Sequence, residues 1–274
     1  LKEHDMEQEN TILTRSRLTI RISDYSLSFS ILDKTAVGGV RYEPYTVKSG
    51  MSMAANLREA FKESNLLLEG FPRVRVLIDT PVLLIPMEEL DIDEIPVLYR
   101  YSFHGHDNDE IVHVVLPDFS CVAAFSINKD LKLVITDHFK DVKIEPLMMS
   151  IWNYMSRRSR IGMGKKLYGY FHNNKLDVFS FDKDRFRFAN SFTVKHVKDA
   201  QYFLLYVWRQ LNLHVLKDEL AVFGDIQGKD LLVEELRKFV QKVYLIHPTA
   251  EFNRAPITSI RGLPFDLMTL YIKV

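Results

Sequence analysis

The residues that could do chemistry fall in three places. His104, His106 and His113 lie close to Asp107, Asp109 and Glu110. Imidazole alternating with carboxylate is zinc-type chemistry, and His104 and His106 would share one face of a strand. Their spacing matches no established ligand pattern, so a polar hairpin tip with solvated acids is the favoured reading, with a metal site as the alternative. Arg157, Arg158, Arg160, Lys165 and Lys166 form the densest basic cluster and bracket Gly162-Met163-Gly164. That string lacks the upstream Gly and the Ser or Thr of a P-loop, so it is not one. A phosphate or nucleic-acid contact is one use for these cations, and a solvated hinge between two halves is the favoured one. Cys121 lies in the apolar run Val122-Ala123-Ala124-Phe125 and reads as a small buried hydrophobe. No Gly-x-Ser-x-Gly or His-Glu-x-x-His motif is present.

The elements that must position these residues follow a repeated order. Leu18, Ile20 and Ile22 alternate with polar neighbours, as do Leu27, Phe29 and Ile31 after the polar turn at Ser23–Ser26. That is a hairpin, and Val40–Val47 adds a third strand. Ser52 caps a helix carrying Ala54, Leu57, Phe61 and Leu68 inward and ending at Gly70, and Val74–Ile78 is a compact strand. The second half repeats the pattern. Leu167–His172 and Leu176–Phe181 flank an Asn173-Asn174-Lys175 turn, and Arg185–Val194 is the third strand. A helix then spans Val197–Leu211, and its Tyr202–Trp208 stretch is apolar enough to be buried on more than one side. A strand at Glu219–Phe223, a helix at Gly228–Val240 and a strand at Val243–Ile246 complete this half.

The middle is less regular. Pro81, Pro86, Pro96 and Pro117 punctuate residues 80–117, which hold strand-like Val97–Phe103 and Ile111–Leu116 and read as an inserted small subdomain. Phe119–Ile127 is a strand. Residues 128–139 fit either period, and Asn128 as a cap favours helix. A short strand at Val142–Ile144 precedes a helix opened by Pro146, with Trp152 in its core face. The resulting organisation is a tail at residues 1–17, a first half at 18–160 and a second half at 161–274. The apolar C-terminal segment, Arg254–Val274, is expected to pack back on the body.

Bulk properties narrow the partner classes. Across 274 residues, 36 basic and 36 acidic side chains cancel, which removes the bulk field that draws nucleic acid or anionic lipid. No apolar run is long enough to span a bilayer, and one cysteine makes no internal disulfide, so the cytoplasm is the expected compartment. Two βββα-type units in one chain predict an α/β fold with two mixed sheets and a cleft between them.

This order resembles the actin-like ATPase superfamily, with ribonuclease H-like halves, and most closely its pilus-assembly and cell-division members. The whole chain is also similar to an uncharacterised Bacteroides family with an actin-like fold. In that superfamily two hairpins hold phosphate and a strand–glycine–helix loop contacts adenosine. The resemblance maps the first hairpin onto Ile20-Arg21-Ile22-Ser23, where Arg21 stands at the position of a metal-holding Asp and Ser23 at that of a Gly. Asp24 and Ser26 are the nearby polar groups, with Asp24 shifted in register. The second hairpin offers Tyr168-Gly169-Tyr170 without a carboxylate before the turn. The third element, Ala221 to Gly228, retains Gly224 and Gly228 but carries Asp225 where a second Gly belongs.

The resemblance therefore implies a vestigial nucleotide cleft at Ser23, Asp24, Ser26, Gly169, Gly224, Asp225 and Gly228. With two carboxylates missing, Mg²⁺ has no evident holder. A non-catalytic module that binds an unidentified protein partner, with no cofactor, is the first reading. A divergent ATPase or small-molecule kinase using ATP and Mg²⁺, with Asp24 and Asp225 as substitute ligands, is the alternative.

Overall fold

The computed structural model describes residues 17–272. The polar tail expected over residues 1–17 lies outside the described residues apart from Arg17. The first half is built on strands β1 (Leu18–Ile22), β2 (Leu27–Leu32), β3 (Val40–Tyr45), β4 (Arg73–Ile78) and β8 (Asp141–Pro146). They form one sheet in the order β3-β2-β1-β4-β8. β1, β2 and β3 pair antiparallel, whereas β4 and β8 join in parallel.

The second half uses β9 (Lys166–His172), β10 (Lys175–Asp182), β11 (Arg185–Thr193), β12 (Glu219–Gly224) and β13 (Val243–Leu245). Their order, β11-β10-β9-β12-β13, repeats the first sheet strand for strand, with the same directions. The duplication expected from the sequence is therefore real at the level of connectivity. A third, antiparallel sheet contains β5 (Val82–Pro86), β6 (Asp109–Leu116) and β7 (Cys121–Asn128) in the order β5-β7-β6.

Helices close both outer faces. α1 (Met53–Glu63) starts where Ser52 accepts a hydrogen bond from the Ala55 amide, and it stops at Ser64, which caps the short α2 (Asn65–Leu68) in turn. α3 (Ile95–Ser102) occupies most of the stretch that reads as strand-like, Val97–Phe103. Helix wins there because Pro96 suits a first turn, and Ile95 and Tyr99, one turn apart, are both buried. α4 (Lys129–His138) begins at Asn128, whose side chain accepts from the amides of Asp130 and Leu131. α5 (Met148–Ser159) follows β8, which runs on through Pro146 rather than ending before it. α6 (Val197–Gln210) buries Ala200, Leu204, Val207 and Trp208 but leaves Tyr202 and Tyr206 exposed, so it packs on one side only. Helical geometry explains this: the apolar run covers two turns and must point part of itself outward. α7 (Lys229–Arg237), α8 (Pro248–Glu251) and α9 (Phe265–Tyr271) complete the described helices.

Three large apolar clusters give a layered order. Leu18, Ile20 and Ile22 pack with Leu57 and Leu131 on the outer face of the first sheet. Leu167, Leu176 and Val178 pack with Leu204 and Leu236 on the outer face of the second. Between the sheets, Leu77 of one and Tyr168, Phe179 and Phe223 of the other meet Ile151 and Trp152 of α5 and Phe265 and Leu267 of α9. Fully burying a side chain of this size contributes about 1.5–3 kcal/mol. The C-terminal segment thus packs back as expected, into the central layer.

Candidate nucleotide cleft

The strand alternation of β1 decides what lies at the base of the cleft. Ile20 and Ile22 point to the outer cluster, so Arg21 points inward between the sheets, where it is 4% exposed. A buried guanidinium needs partners. Asp266 of α9, fully buried, supplies them: Arg21 Nε donates to Oδ1 and Nη2 to Oδ2, both at 2.9 Å. Arg21 Nη1 donates to Ser26 Oγ at 3.0 Å, and the Tyr170 hydroxyl donates to Asp266 Oδ2 at 2.7 Å. Ser150 Oγ of α5 holds the Asp266 carbonyl at 2.9 Å. Burial opposes charge on Arg21, but the Asp266 carboxylate outweighs it and holds the guanidinium pKa above its ordinary value. Burial and the same carboxylate push the Tyr170 hydroxyl well up, so it stays a donor.

Both hairpin turns are closed by their own groups. The Ser23 amide donates to the Ser26 carbonyl at 2.9 Å, and the two hydroxyls share a 2.7 Å hydrogen bond. Asn173 and Asn174 both have positive φ, the geometry of a tight two-residue hairpin. The turns are also tied to one another. Lys175 Nζ lies 3.2 Å from Asp24 Oδ2 and 3.3 Å from Asp79 Oδ1, just past β4. His172 Nε2 shares a 2.5 Å hydrogen bond with Asp177 Oδ2, and its Nδ1 faces Asp79 Oδ2 at 3.6 Å. Burial works against an imidazolium, but the hydrogen bond to Asp177 and the charges of Asp177, Asp79 and Asp266 prevail, so the His172 pKa is raised above 6.5.

The glycines have structural duties. Gly224 has φ +95, and a Cβ there would stand 2.1 Å from the Phe171 carbonyl oxygen, while the Asp225 amide donates to that same oxygen at 2.8 Å. Close approach of two backbones therefore demands glycine. Gly228 (φ +63) caps α7, and a Cβ there would meet Val197 Cγ2 at 2.9 Å. Gly169 faces away from Tyr170 and lies under α6, where a Cβ would meet Leu204 Cδ2 at 2.9 Å.

The structure brings Ser23, Asp24 and Ser26 to one turn; Ser26 shares a cavity of about 470 Å³ with Gly224 and Asp225, and Asp225 and Gly228 line another of about 320 Å³ beside Asn173 and Lys195. Asp24 lines a different cavity, with His106 and Asp109. Among the described residues no group of three or more His, Cys, Asp or Glu side chains is arranged to hold a metal ion. His106 Nδ1 instead lies 2.7 Å from Asp109 Oδ2, and Ser126 Oγ, 2% exposed, hydrogen-bonds to that same carboxylate oxygen. Burial pushes the Cys121 thiol up to about 11, consistent with an inert side chain.

Three members of the basic cluster, Arg158, Arg160 and Lys166, are held by partners, whereas Arg157 and Lys165 are exposed. Lys166 is 7% exposed and points its ammonium at the Arg158, Ser159 and Ile161 carbonyls at the end of α5. Arg158 pairs with Glu251 at 2.8 Å. Sequence reasoning missed Asp266, Asp79, Lys175 and the His172–Asp177 pair. The available signal was Asp266 itself, a single charge inside Leu263–Leu270, which is otherwise almost wholly apolar.

A family model described as "Protein of unknown function (DUF3822)" matches residues 5–243. The chain belongs to that family. Among solved structures, it is similar to a Bacteroides thetaiotaomicron VPI-5482 protein with an actin-like ATPase fold and unknown function. The two share 26% identity over 95% of this chain and 96% of that one, with a TM-score of 0.82. A chain of the PilM-PilN type IV pilus biogenesis complex matches at 10% identity and a TM-score of 0.50, covering 85% and 89% of the two chains. Among curated proteins none matches the sequence. The DUF3822 chain therefore has the actin-like ATPase fold that its strand order already implied. No helix among its described residues is long and apolar enough to cross a membrane.

Proposed function

We propose that this chain is a non-catalytic actin-like module that works by binding another protein, as a scaffold, in the cytoplasm. The observation that carries the reading is the Arg21–Asp266 pair. Where the superfamily resemblance puts a metal-holding carboxylate, this chain has a guanidinium, and its own C-terminal helix neutralises that charge. A second support is Lys175, which spans the two hairpin turns and occupies the carboxylates nearest them. Asp24 and Asp225 line separate cavities, which weakens the case for a shared Mg²⁺. The single cysteine, buried and unpaired, fits a reducing compartment.

Isothermal titration of the chain with Mg-ATP, followed by a phosphate-release assay, tests this reading. The expected result is no saturable binding in the micromolar range and no turnover. Micromolar binding accompanied by turnover overturns it in favour of a divergent ATPase or kinase.

A further inference from the structure

The small sheet is covered on one face by α3, and that duty uses only one side of the helix. Ile95 and Tyr99, one turn apart, pack with Ile85, Val122 and Ala124, and the Tyr99 hydroxyl donates to the Pro81 carbonyl at 2.8 Å. At about 100° per residue, Val97 and Tyr101 fall on the opposite face, with Leu98 on its flank. Val97 is 68% exposed and Tyr101 85%, and Leu98 is exposed beside them. A surface helix ordinarily carries charged or polar side chains there. The segment leading into α3 adds Met87 and Ile92, both exposed. Of the 21 large apolar side chains exposed among the described residues, these five fall within residues 87–101, a concentration that marks a contact surface.

The charge beside this face has one sign. Glu88, Glu89, Asp91, Asp93 and Glu94 are all exposed. Glu88 is paired with Arg185 at 2.8 Å. Among the described residues no cation lies within ion-pair distance of the other four, and Arg100 is the one base on α3. Four unmatched acids against that base leave three negative charges in surplus around the apolar face. The sign decides among occupants. A second copy docking through the same face would set acid against acid. Residues 1–16 of the chain carry four acids and two bases, again the wrong sign. A basic segment satisfies the acids, and the apolar stripe of a helix is met by the stripe of another.

We propose that α3 and the acidic turn before it form the docking face for a basic amphipathic helix of a partner protein, with its apolar stripe on Val97 and Tyr101 and its Lys or Arg side chains over Glu89, Asp93 and Glu94. This deepens the reading of the chain as a protein-binding module and rests on it.

The probe is a fluorescently labelled peptide of Leu and Lys, about 18 residues long, with its leucines at helical spacing. Its anisotropy is followed as the full chain is added. The expected result is saturable micromolar binding that weakens as salt rises. The same peptide with Glu in place of Lys should not bind, and a Leu–Lys peptide in scrambled order should bind at least tenfold more weakly. Val97→Asn with Tyr101→Asn should weaken binding at least tenfold, as should Glu89→Gln with Asp93→Asn and Glu94→Gln. Tyr202→Asn with Tyr206→Asn, which strips an exposed aromatic pair from α6, should leave it unchanged. All of these side chains are exposed, and melting curves establish that each variant is folded. No saturation, equal binding of the acidic peptide, undiminished binding in either α3-face variant or equal loss in the α6 variant overturns the proposal. So does self-association that Val97→Asn with Tyr101→Asn removes, which gives the face to a second copy. Tighter binding once residues 1–16 are deleted also overturns it and gives the face to the tail. The scaffold reading fails separately, by turnover of Mg-ATP, whatever the peptide does.

Discussion

The guanidinium of Arg21 and the carboxylate of Asp266 meet at two 2.9 Å contacts across 245 positions of sequence, both side chains almost wholly buried. They connect the first strand to the last helix. Removing one partner strands the other charge in the central layer, and such losses cost about 3–5 kcal/mol. Asp266→Ala is expected to destabilise the fold by about that much in urea unfolding. The double replacement Arg21→Met with Asp266→Leu should recover most of the loss, because apolar groups of similar volume tolerate burial. A double variant as unstable as Asp266→Ala would show that the pair does more than neutralise itself.

Gly224 and Gly228 separate under the same substitution. Alanine at 224 requires φ near +95 and places Cβ 2.1 Å from the Phe171 carbonyl oxygen, a backbone atom that cannot step aside. Alanine at 228 needs φ near +63 and meets only the Val197 methyl at 2.9 Å. Gly228→Ala should cost on the order of 1 kcal/mol, from the left-handed conformation. Gly224→Ala should cost several times more, enough to lower the yield of folded protein. Thermal melts of the two variants side by side check the ranking, and similar losses would contradict it.

His172 gives the fold a pH dependence of known sign. Its folded pKa is raised above 6.5, so the folded state holds the proton more tightly than the unfolded chain does. The contribution is therefore complete below about pH 6.5 and is lost as pH rises through the folded value. Stability measured by urea unfolding should fall across that window, and His172→Gln should flatten that part of the profile. An unchanged slope in the variant would assign the effect to another group.

The repeat was legible because it is local. Alternation marks β1 and β2 within a few residues of each other, and Asn128 announces α4 by its position. Superfamily likeness located the glycine loop, and Gly224 stands where the backbone approach needs it. The base of the cleft was not legible. Arg21 reads as a misplaced cation until Asp266 is known to face it, and no periodicity links residues 245 positions apart. α3 was hidden by a different cause. Val97, Leu98, Tyr99 and Tyr101 are β-branched, apolar or aromatic and read as strand-like, yet only Tyr99 among them is buried, because the chain turns through a helix and packs Ile95 beneath it.

The Lys175 bridge has two arms of unequal strength. Asp24 is 61% exposed, so its contact with Lys175 is screened and competes with water. Asp79 is 8% exposed and receives Lys175 on one oxygen and faces His172 on the other. Asp24→Asn should therefore change stability by less than about 1 kcal/mol, the range of exposed pairs. Asp79→Asn should cost more, since it leaves Lys175 and a charged His172 without the carboxylate they share. The two substitutions should also differ in reach. Asp24→Asn loosens only the turn at Ser23–Ser26, whereas Asp79→Asn frees the link between the end of β4 and the β9–β10 hairpin. Amide hydrogen exchange reads this directly: faster exchange at Asn173–Lys175 is expected in Asp79→Asn and not in Asp24→Asn. Equal acceleration in both variants would mean that Lys175 acts through Asp24, and that the turns are held by their tips alone.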